Sequence, residues 1–402
     1  MRKIVTLLVV LCAFLAASSY LFAAERPIRI VVLEPLSGPA KDNGDRSLIG
    51  AEFAAAEINA AGGVLGRKIE VIGEDSQSKP DVAVRKLQKY ILDHSVDMVF
   101  VCSGSPIAKA VTEATKGQNI LVMLGTMSDE TTGSDFQDHV FRPYYNTSMS
   151  ARAIVTYMGQ HKEFKKFYLL NQDYSFGRDT GAAFRREIKK QIPDGQVLGE
   201  DYFPMFSKDL SPFLTKVKAS GAEAILSSAW GSDINLILKQ RAELGVKAIV
   251  ADMALAPPLT LQADINAAQG AIATDSYVIT IDTKENRDYV KRYRDKYKGT
   301  TYPEPDALSA RTYLFTQLAA SAAKKAKSVD LNKIIPALEG LKEKTIVGDV
   351  WIRPCDHQMQ SPMAVVEINS TKYPYYGAPT IIPASEVMIE ESATGNPRCK
   401  GK

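Results

Sequence analysis

The chain has little of the residues that carry much of protein chemistry: 402 residues include only four cysteines, four histidines and two tryptophans. The histidines, His94, His139, His161 and His357, are isolated from one another, so a metal centre would need long-range convergence. His94 and His161 fall near predicted helix ends, where a cation meets the helix dipole. No Gly-x-Ser-x-Gly, P-loop, His-Glu-x-x-His or post-strand Gly-x-Gly-x-x-Gly motif occurs, which removes the usual signatures of hydrolases, phosphate loops, zinc proteases and dinucleotide sites. Charge of one sign is lacking as well. Lys and Arg number 49 against 46 Asp and Glu, and no nucleic-acid footprint follows. Beyond residue 24 no apolar run approaches the roughly 20 residues that span a bilayer.

What is present is ordinary globular material: 45% hydrophobic, 24% charged and 8% aromatic residues, enough for a packed core. The length suggests two or three domains. Arg2 and Lys3 precede an apolar run over 4–17 and a small-residue stretch ending Phe22-Ala23-Ala24, so residues 1–24 read as a cleaved secretory leader. Cys12 leaves with it. In an oxidising compartment the remaining Cys102, Cys355 and Cys399 imply one pair and one free thiol. Cys102 closes an apolar strand, so a Cys355–Cys399 disulfide that pins the C-terminal tail is the expected bridge; three reduced thiols is the alternative.

Short β-branched runs alternate with segments of helical period. Strands are predicted over 28–33, 68–72, 97–101 and 120–124, with helices over 47–61 and from Asp81 and Pro106. The alternation restarts after Arg142, with strands over 166–170, 196–202, 224–227, 248–251 and 271–278, and helices over 150–160 and 176–190 among them. Beyond Thr280 come helices over 284–298, 306–327 and 331–338, then strand-like runs over 347–352 and 363–368. Strands this rich in Val, Ile and Leu between helices are covered on both faces, which predicts an α/β fold of two doubly wound parallel sheets.

Open α/β sheets bind ligands beyond their strand ends, and the polar residues collect there. The first strand runs into Ser37, the third into Cys102-Ser103-Gly104-Ser105-Pro106, and the fourth into Gly125-Thr126-Met127-Ser128. Ser103 and Ser105 at a helix start set hydroxyls beside unpaired N–H groups, a geometry that holds an anion such as a carboxylate. Plain helix capping accounts for them equally well. In the second half the strand ends carry Tyr174, Phe176, Trp230, Asp252 and Met253, and aromatic side chains there supply apolar area in a cleft.

The strings Val32-Leu33-Glu34-Pro35-Leu36-Ser37-Gly38-Pro39, Glu57-Ile58-Asn59-Ala60-Ala61-Gly62-Gly63-Val64-Leu65-Gly66-Arg67-Lys68 and Asp209-Leu210-Ser211-Pro212 resemble those of a known family. It is the type I periplasmic substrate-binding proteins of ABC importers, in the branched-chain amino-acid (Leu/Ile/Val) group. The resemblance covers essentially the whole mature chain. It implies a periplasmic, monomeric, non-enzymatic protein without cofactor or metal, which traps a small ligand by hinge closure and hands it to importer permease subunits. It also implies two Rossmann-like lobes joined by three crossings near Tyr145, Tyr277 and Val350, one of residues 25–145 plus 278–350 and the other of 146–277 plus 351–402.

By position, Ser103 matches the family's ligand-binding serine, with Gly104 and Ser105 beside it, and Thr126, Met127 and Ser128 match its second polar loop. Phe176 falls at a clamp tyrosine, Trp230 at a second aromatic position, and Asn43 at an aromatic position of the Leu/Ile/Val binders. Amino-acid binders pair the ligand ammonium with an acid near Met253, whereas here the only nearby acid is Asp252, displaced by about two residues. A buried ammonium without a partner is costly. An aromatic or hydrophobic carboxylate is therefore the expected ligand. The other readings are a branched-chain amino acid with Asp252 as counter-charge, a sensor of amides or urea-like compounds, and an exported hydrolase lacking a recognisable nucleophile.

Overall fold

In the computed structural model, which describes residues 26–161, 164–255 and 264–399, the apolar runs close into two main sheets. The leader read at residues 1–24, with Cys12, lies outside the described residues. The first part of the chain forms β1 (Ile28–Glu34), α1 (Lys41–Ala60), β2 (Ile69–Asp75), α2 (Pro80–Leu92), β3 (Met98–Val101), α3 (Ser105–Ala114), β4 (Leu121–Leu124) and β5 (Val140–Phe141). Their sheet runs β2-β1-β3-β4-β5 with every pair parallel. β3 and β4 are buried throughout, as strands covered on both faces must be. α1 starts six residues earlier than its apolar period shows, at Lys41 instead of 47. Its first turn is polar and is tied by a Lys41–Asp45 pair one helical turn apart.

The chain then forms α4 (Thr147–His161), β6 (Lys166–Gln172), α5 (Ser175–Gln191), β7 (Gln196–Phe203), α6 (Ser211–Ser220), β8 (Ala224–Ser227), α7 (Ser232–Glu243), β9 (Ile249–Asp252) and β10 (Ile272–Asp275). Three helices follow, α8 (Lys284–Tyr297), α9 (Ala307–Ala326) and α10 (Leu331–Leu338), and then β11 (Lys342–Thr345), β12 (Gly348–Ile352) and β13 (Met359–Gln360) as a small antiparallel sheet. β14 (Met363–Glu367), β15 (Thr380–Ile382) and α11 (Ala384–Val387) end the regular structure. The second large sheet runs β15-β14-β10-β9-β8-β6-β7. It is parallel from β10 to β7, as expected of a doubly wound sheet, and β14 and β15 join its edge antiparallel. β15 follows β14 with no helix between them, whereas a parallel pairing needs a crossover connection.

The late helices return to the first sheet. Asp306 caps α9, accepting from the Ser309 N–H at 2.8 Å while its own N–H donates to the Ser309 hydroxyl at 3.0 Å, and its carboxylate also pairs with Arg46 of α1 at 2.9 Å. Thr312 donates to the Ser47 carbonyl at 2.6 Å. A Cβ on Gly50 would fall 1.9 Å from the Ser309 carbonyl oxygen, so α1 and α9 approach backbone to backbone. Between them Arg292 of α8 reaches Glu57 at 2.7 Å.

A division of lobes at 350 and 351 cuts the small sheet in two, since β12 pairs with both β11 and β13. The chain leaves that sheet at Ser361-Pro362 and enters β14. Cys355 and Cys399 are joined, with Cα atoms 5.1 Å apart, and Cys102 is free and buried. Among the described residues no helix is long and apolar enough to cross a membrane.

Candidate functional site

A cavity lies where the strand ends of the two large sheets face each other, lined from both sides. It offers about 70 Å³ to the centres of water-sized molecules, room for several of them.

The wall from the first sheet is polar. β1 ends on Glu34, whose fully buried carboxylate organises the loop after β3. Glu34 accepts from the backbone N–H groups of Cys102 and of Ser103, the latter at 3.1 Å, and from the Ser103 hydroxyl at 2.5 Å. Gly104 then takes φ +84°, a left-handed conformation that glycine adopts without strain, and α3 starts at Ser105 with Pro106 in its first turn. From the loop after β4, Thr126 presents a buried hydroxyl that has no hydrogen-bond partner.

Arg311 of α9 reaches the same wall. Its guanidinium donates to the Gly125 carbonyl and to the Ser47 hydroxyl, both at 3.2 Å, while Nε is buried and unpartnered. Burial works against this cation, but the field of Cys102, Tyr144, Glu34 and Asp275 outweighs it and holds Arg311 above its ordinary value. Burial likewise pushes the Cys102 thiol up to about 12 and raises both the Glu34 and Asp275 carboxyls.

Asp275 ends β10 and lines the cavity floor. One of its oxygens accepts from the hydroxyls of Tyr144, at 2.6 Å, and Tyr145, at 3.1 Å, and the other accepts from the Tyr277 N–H at 3.0 Å. The wall from the second sheet is aromatic. Tyr174 and Phe176 open α5 with ring centroids 6.0 Å apart, and Trp230 follows β8, its indole N–H donating to the Tyr174 hydroxyl at 2.7 Å. Phe206 meets the Trp230 ring edge-on at 5.5 Å and holds it from behind.

Of the residues singled out from sequence, the structure brings Asn43, Ser103, Gly104, Ser105, Thr126, Met127, Tyr174, Phe176 and Trp230 to one cavity. Four others it does not. The Ser37 hydroxyl donates to Asp75 at 2.7 Å, and Ser128 donates to Asp179 at 2.5 Å. Asp252 turns back on its own chain to accept from the Ala254 N–H at 2.7 Å, and burial pushes its carboxyl up to about 7. Met253 is fully buried beneath the cavity, its carbonyl accepting from the Tyr145 hydroxyl at 3.1 Å.

Sequence reasoning missed Arg311, Asp275, Tyr144 and Tyr145. A signal for Arg311 was available, because it shares a helical face with Leu308, Phe315 and Leu318, and a cation on a buried apolar face needs a partner. Asp275 stands at a strand end like the residues that were chosen. Nothing in the local pattern marks the two tyrosines.

The model of the periplasmic binding protein family matches residues 27–373. The chain belongs to this family. Among curated relatives of this periplasmic binding protein, the Leu/Ile/Val-binding protein homolog 4 of Brucella abortus is 28% identical over 377 residues, covering 90% of this chain and 88% of the relative. Among solved structures, the leucine-, isoleucine-, valine-, threonine- and alanine-binding protein of Brucella ovis, in its closed conformation, superposes with a TM-score of 0.82 at 24% identity, covering 90% of this chain and 97% of that one. A solute-binding protein of an ABC transporter from Rhodopseudomonas palustris BisB5, in complex with 3,4-dihydroxybenzoic acid, gives 0.77 at 20% identity, covering 88% and 96%. At these identities the structural likeness speaks to the fold, which is that of the type I periplasmic binding proteins.

Proposed function

We propose that this protein is an extracytoplasmic solute-binding protein that captures a small carboxylate with an aromatic or hydrophobic body and delivers it to the permease subunits of an ABC importer. The observation that carries the reading is the division of the cavity: hydrogen-bond donors and Arg311 on one wall, Tyr174, Phe176 and Trp230 on the other. A carboxylate would be held by Ser103, the N–H groups that open α3, Thr126 and Arg311. Its apolar body would lie against the aromatic wall. The two lobes, read from sequence as residues 25–145 plus 278–350 and 146–277 plus 351–402 and here divided instead at Ser361-Pro362 so that the small sheet stays whole, would close on the ligand without chemical turnover. Names among the relatives and structural neighbours, including complexes with 3,4-dihydroxybenzoic acid and benzoate, support this ligand class.

A second reading is an amphipathic amino acid, supported by the names of the Brucella relatives and by Asp275, an acid that does line the cavity. Both Asp275 oxygens already accept hydrogen bonds, so it is poorly placed to meet an ammonium group as well. Thermal-shift and calorimetric screening of refolded, ligand-stripped protein decides between the readings, since ligand at about a hundred times its dissociation constant adds roughly 2.7 kcal/mol. A shift with benzoate and none with leucine is expected. A shift with leucine that Asp275→Asn removes would establish the second reading instead.

A further inference from the structure

Behind the Ser103 hydroxyl the cavity is backed by a buried charge set that does not balance. Two acids, Glu34 and Asp275, stand against one cation, Arg311, and none of the three is appreciably exposed. The Cys102 thiol beside them is neutral, since burial pushes it up to about 12. A carboxylate entering this cavity adds another negative charge away from water, which is expensive unless something neutralises it. Resting on the carboxylate reading above, we propose that Glu34 is a positioning residue that takes up a proton when a carboxylate ligand binds, which turns the Ser103 hydroxyl from Glu34 toward the ligand.

The hydrogen bonds select Glu34 over Asp275. Glu34 Oε1 accepts the backbone N–H groups of Cys102 and Ser103, which hold that oxygen as an acceptor in either protonation state. Oε2 meets the Ser103 hydroxyl at 2.5 Å, a group that can donate or accept. With Glu34 ionised, the Ser103 proton points at Oε2 and is withheld from a ligand. With Oε2 protonated, Glu34 donates to Ser103 Oγ, and the serine proton is released into the cavity as a donor. Asp275 offers no such exchange at equal cost, because the oxygen facing its neighbours is shared by two phenols, both of which a proton would displace.

The charged and titratable groups that act on Glu34 are Arg311 of α9 and Cys102 after β3. Asp75, opposite on β2, is engaged by Ser37 and by the backbone of Leu36 and Gln77, and the α1 residue at Arg311 is the uncharged Ser47. Burial raises the Glu34 carboxyl and Arg311 lowers it, with burial prevailing. The proton is therefore within reach above the ordinary carboxylate range. It comes from solvent, and the ligand stays ionised.

Calorimetry with benzoate in phosphate and in Tris, across pH 6 to 9, tests this in wild type and in Glu34→Gln. Where free Glu34 is ionised, wild type should take up about one proton per benzoate and lose affinity by up to about tenfold per pH unit. Glu34→Gln, whose amide N–H donates to Ser103 permanently, should take up none and hold a flat affinity. Wild-type binding without proton uptake at any pH, or undiminished uptake in Glu34→Gln, overturns the proposal. Infrared difference spectra of wild type need no variant: benzoate should add the carbonyl band of a protonated carboxyl, and its absence overturns the proposal as well. Failure of every carboxylate to bind wild type is a different result, which removes the carboxylate reading and this inference with it.

Discussion

The two walls of the cavity solve different problems. The first-sheet wall is built from groups with fixed hydrogen-bond directions: Ser103 on Glu34, Arg311 on Gly125 and Ser47, and backbone N–H groups at the start of α3. The second-sheet wall is built from rings that touch one another, Tyr174 with Phe176 and with Trp230, and Trp230 with Phe206. On the function proposed above, direction and charge on one side would decide which end of a ligand enters. Area and flatness on the other would decide how much of it is buried. The comparison teaches that loss of a charged group from the first wall should reach the folded state itself, because the two buried acids depend on Arg311, whereas damage to the second should be felt chiefly by the ligand.

The sharpest break is Arg311→Met. Removing the single cation from between Glu34 and Asp275 should cost about 3–5 kcal/mol in urea unfolding, together with loss of carboxylate binding. Retention of wild-type stability would show that the acids are neutral without it. Next comes Trp230→Ala, for which an anchor of this kind predicts a loss of about 2 kcal/mol in benzoate affinity, roughly thirtyfold. Trp230 is only half-buried, so the unfolding midpoint should move far less than the calorimetric affinity. Thr126→Val keeps the shape and removes a hydroxyl that has no partner in the protein, so affinity should fall by about 1.5 kcal/mol while unliganded stability holds. A drop in unliganded stability would instead place that hydroxyl in the folded framework.

The smallest effect on binding is expected from Asp252→Asn, within about 0.5 kcal/mol, because its carboxylate faces Ala254 and not the cavity. Its effect on stability has a definite sign. Burial raises the Asp252 carboxyl from 3.8 to about 7 in the folded protein, so the fold holds a proton that the unfolded chain releases earlier. The corresponding stability is fully present below the unfolded value and is lost as pH rises through about 7. Asp252→Asn should flatten that slope in unfolding experiments run from pH 4 to 8.

Much of the fold was legible because strand and helix periods are local. α10 falls on its predicted residues, and α9 starts directly after the capping Asp306. The strands β5, β13 and β15 were missed because two or three residues carry no period, and β11 because Lys342-Glu343-Lys344-Thr345 holds no apolar residue. The polar loop of the cavity was legible too, because strand ends are where open sheets place ligands. Its charge partners were not. Glu34 was read as part of a family string, and its role depends on a loop that lies 68 residues further along. Asp252 was weighed as counter-charge where Asp275, two strand ends alike in sequence, is the acid at the cavity, and only the register of β9 and β10 tells them apart.

The return of α9 to the first sheet has a consequence in time. During synthesis β1 through β5 are complete by Phe141, yet the arginine that balances Glu34 arrives at position 311, on a helix that docks backbone to backbone against Gly50. Until then Glu34 has no cation opposite it, and closing so long a loop is slow. A chain interrupted anywhere before α9 would therefore hold the scaffold of the cavity without its cation, and the order of synthesis makes the cavity one of the last features to be completed.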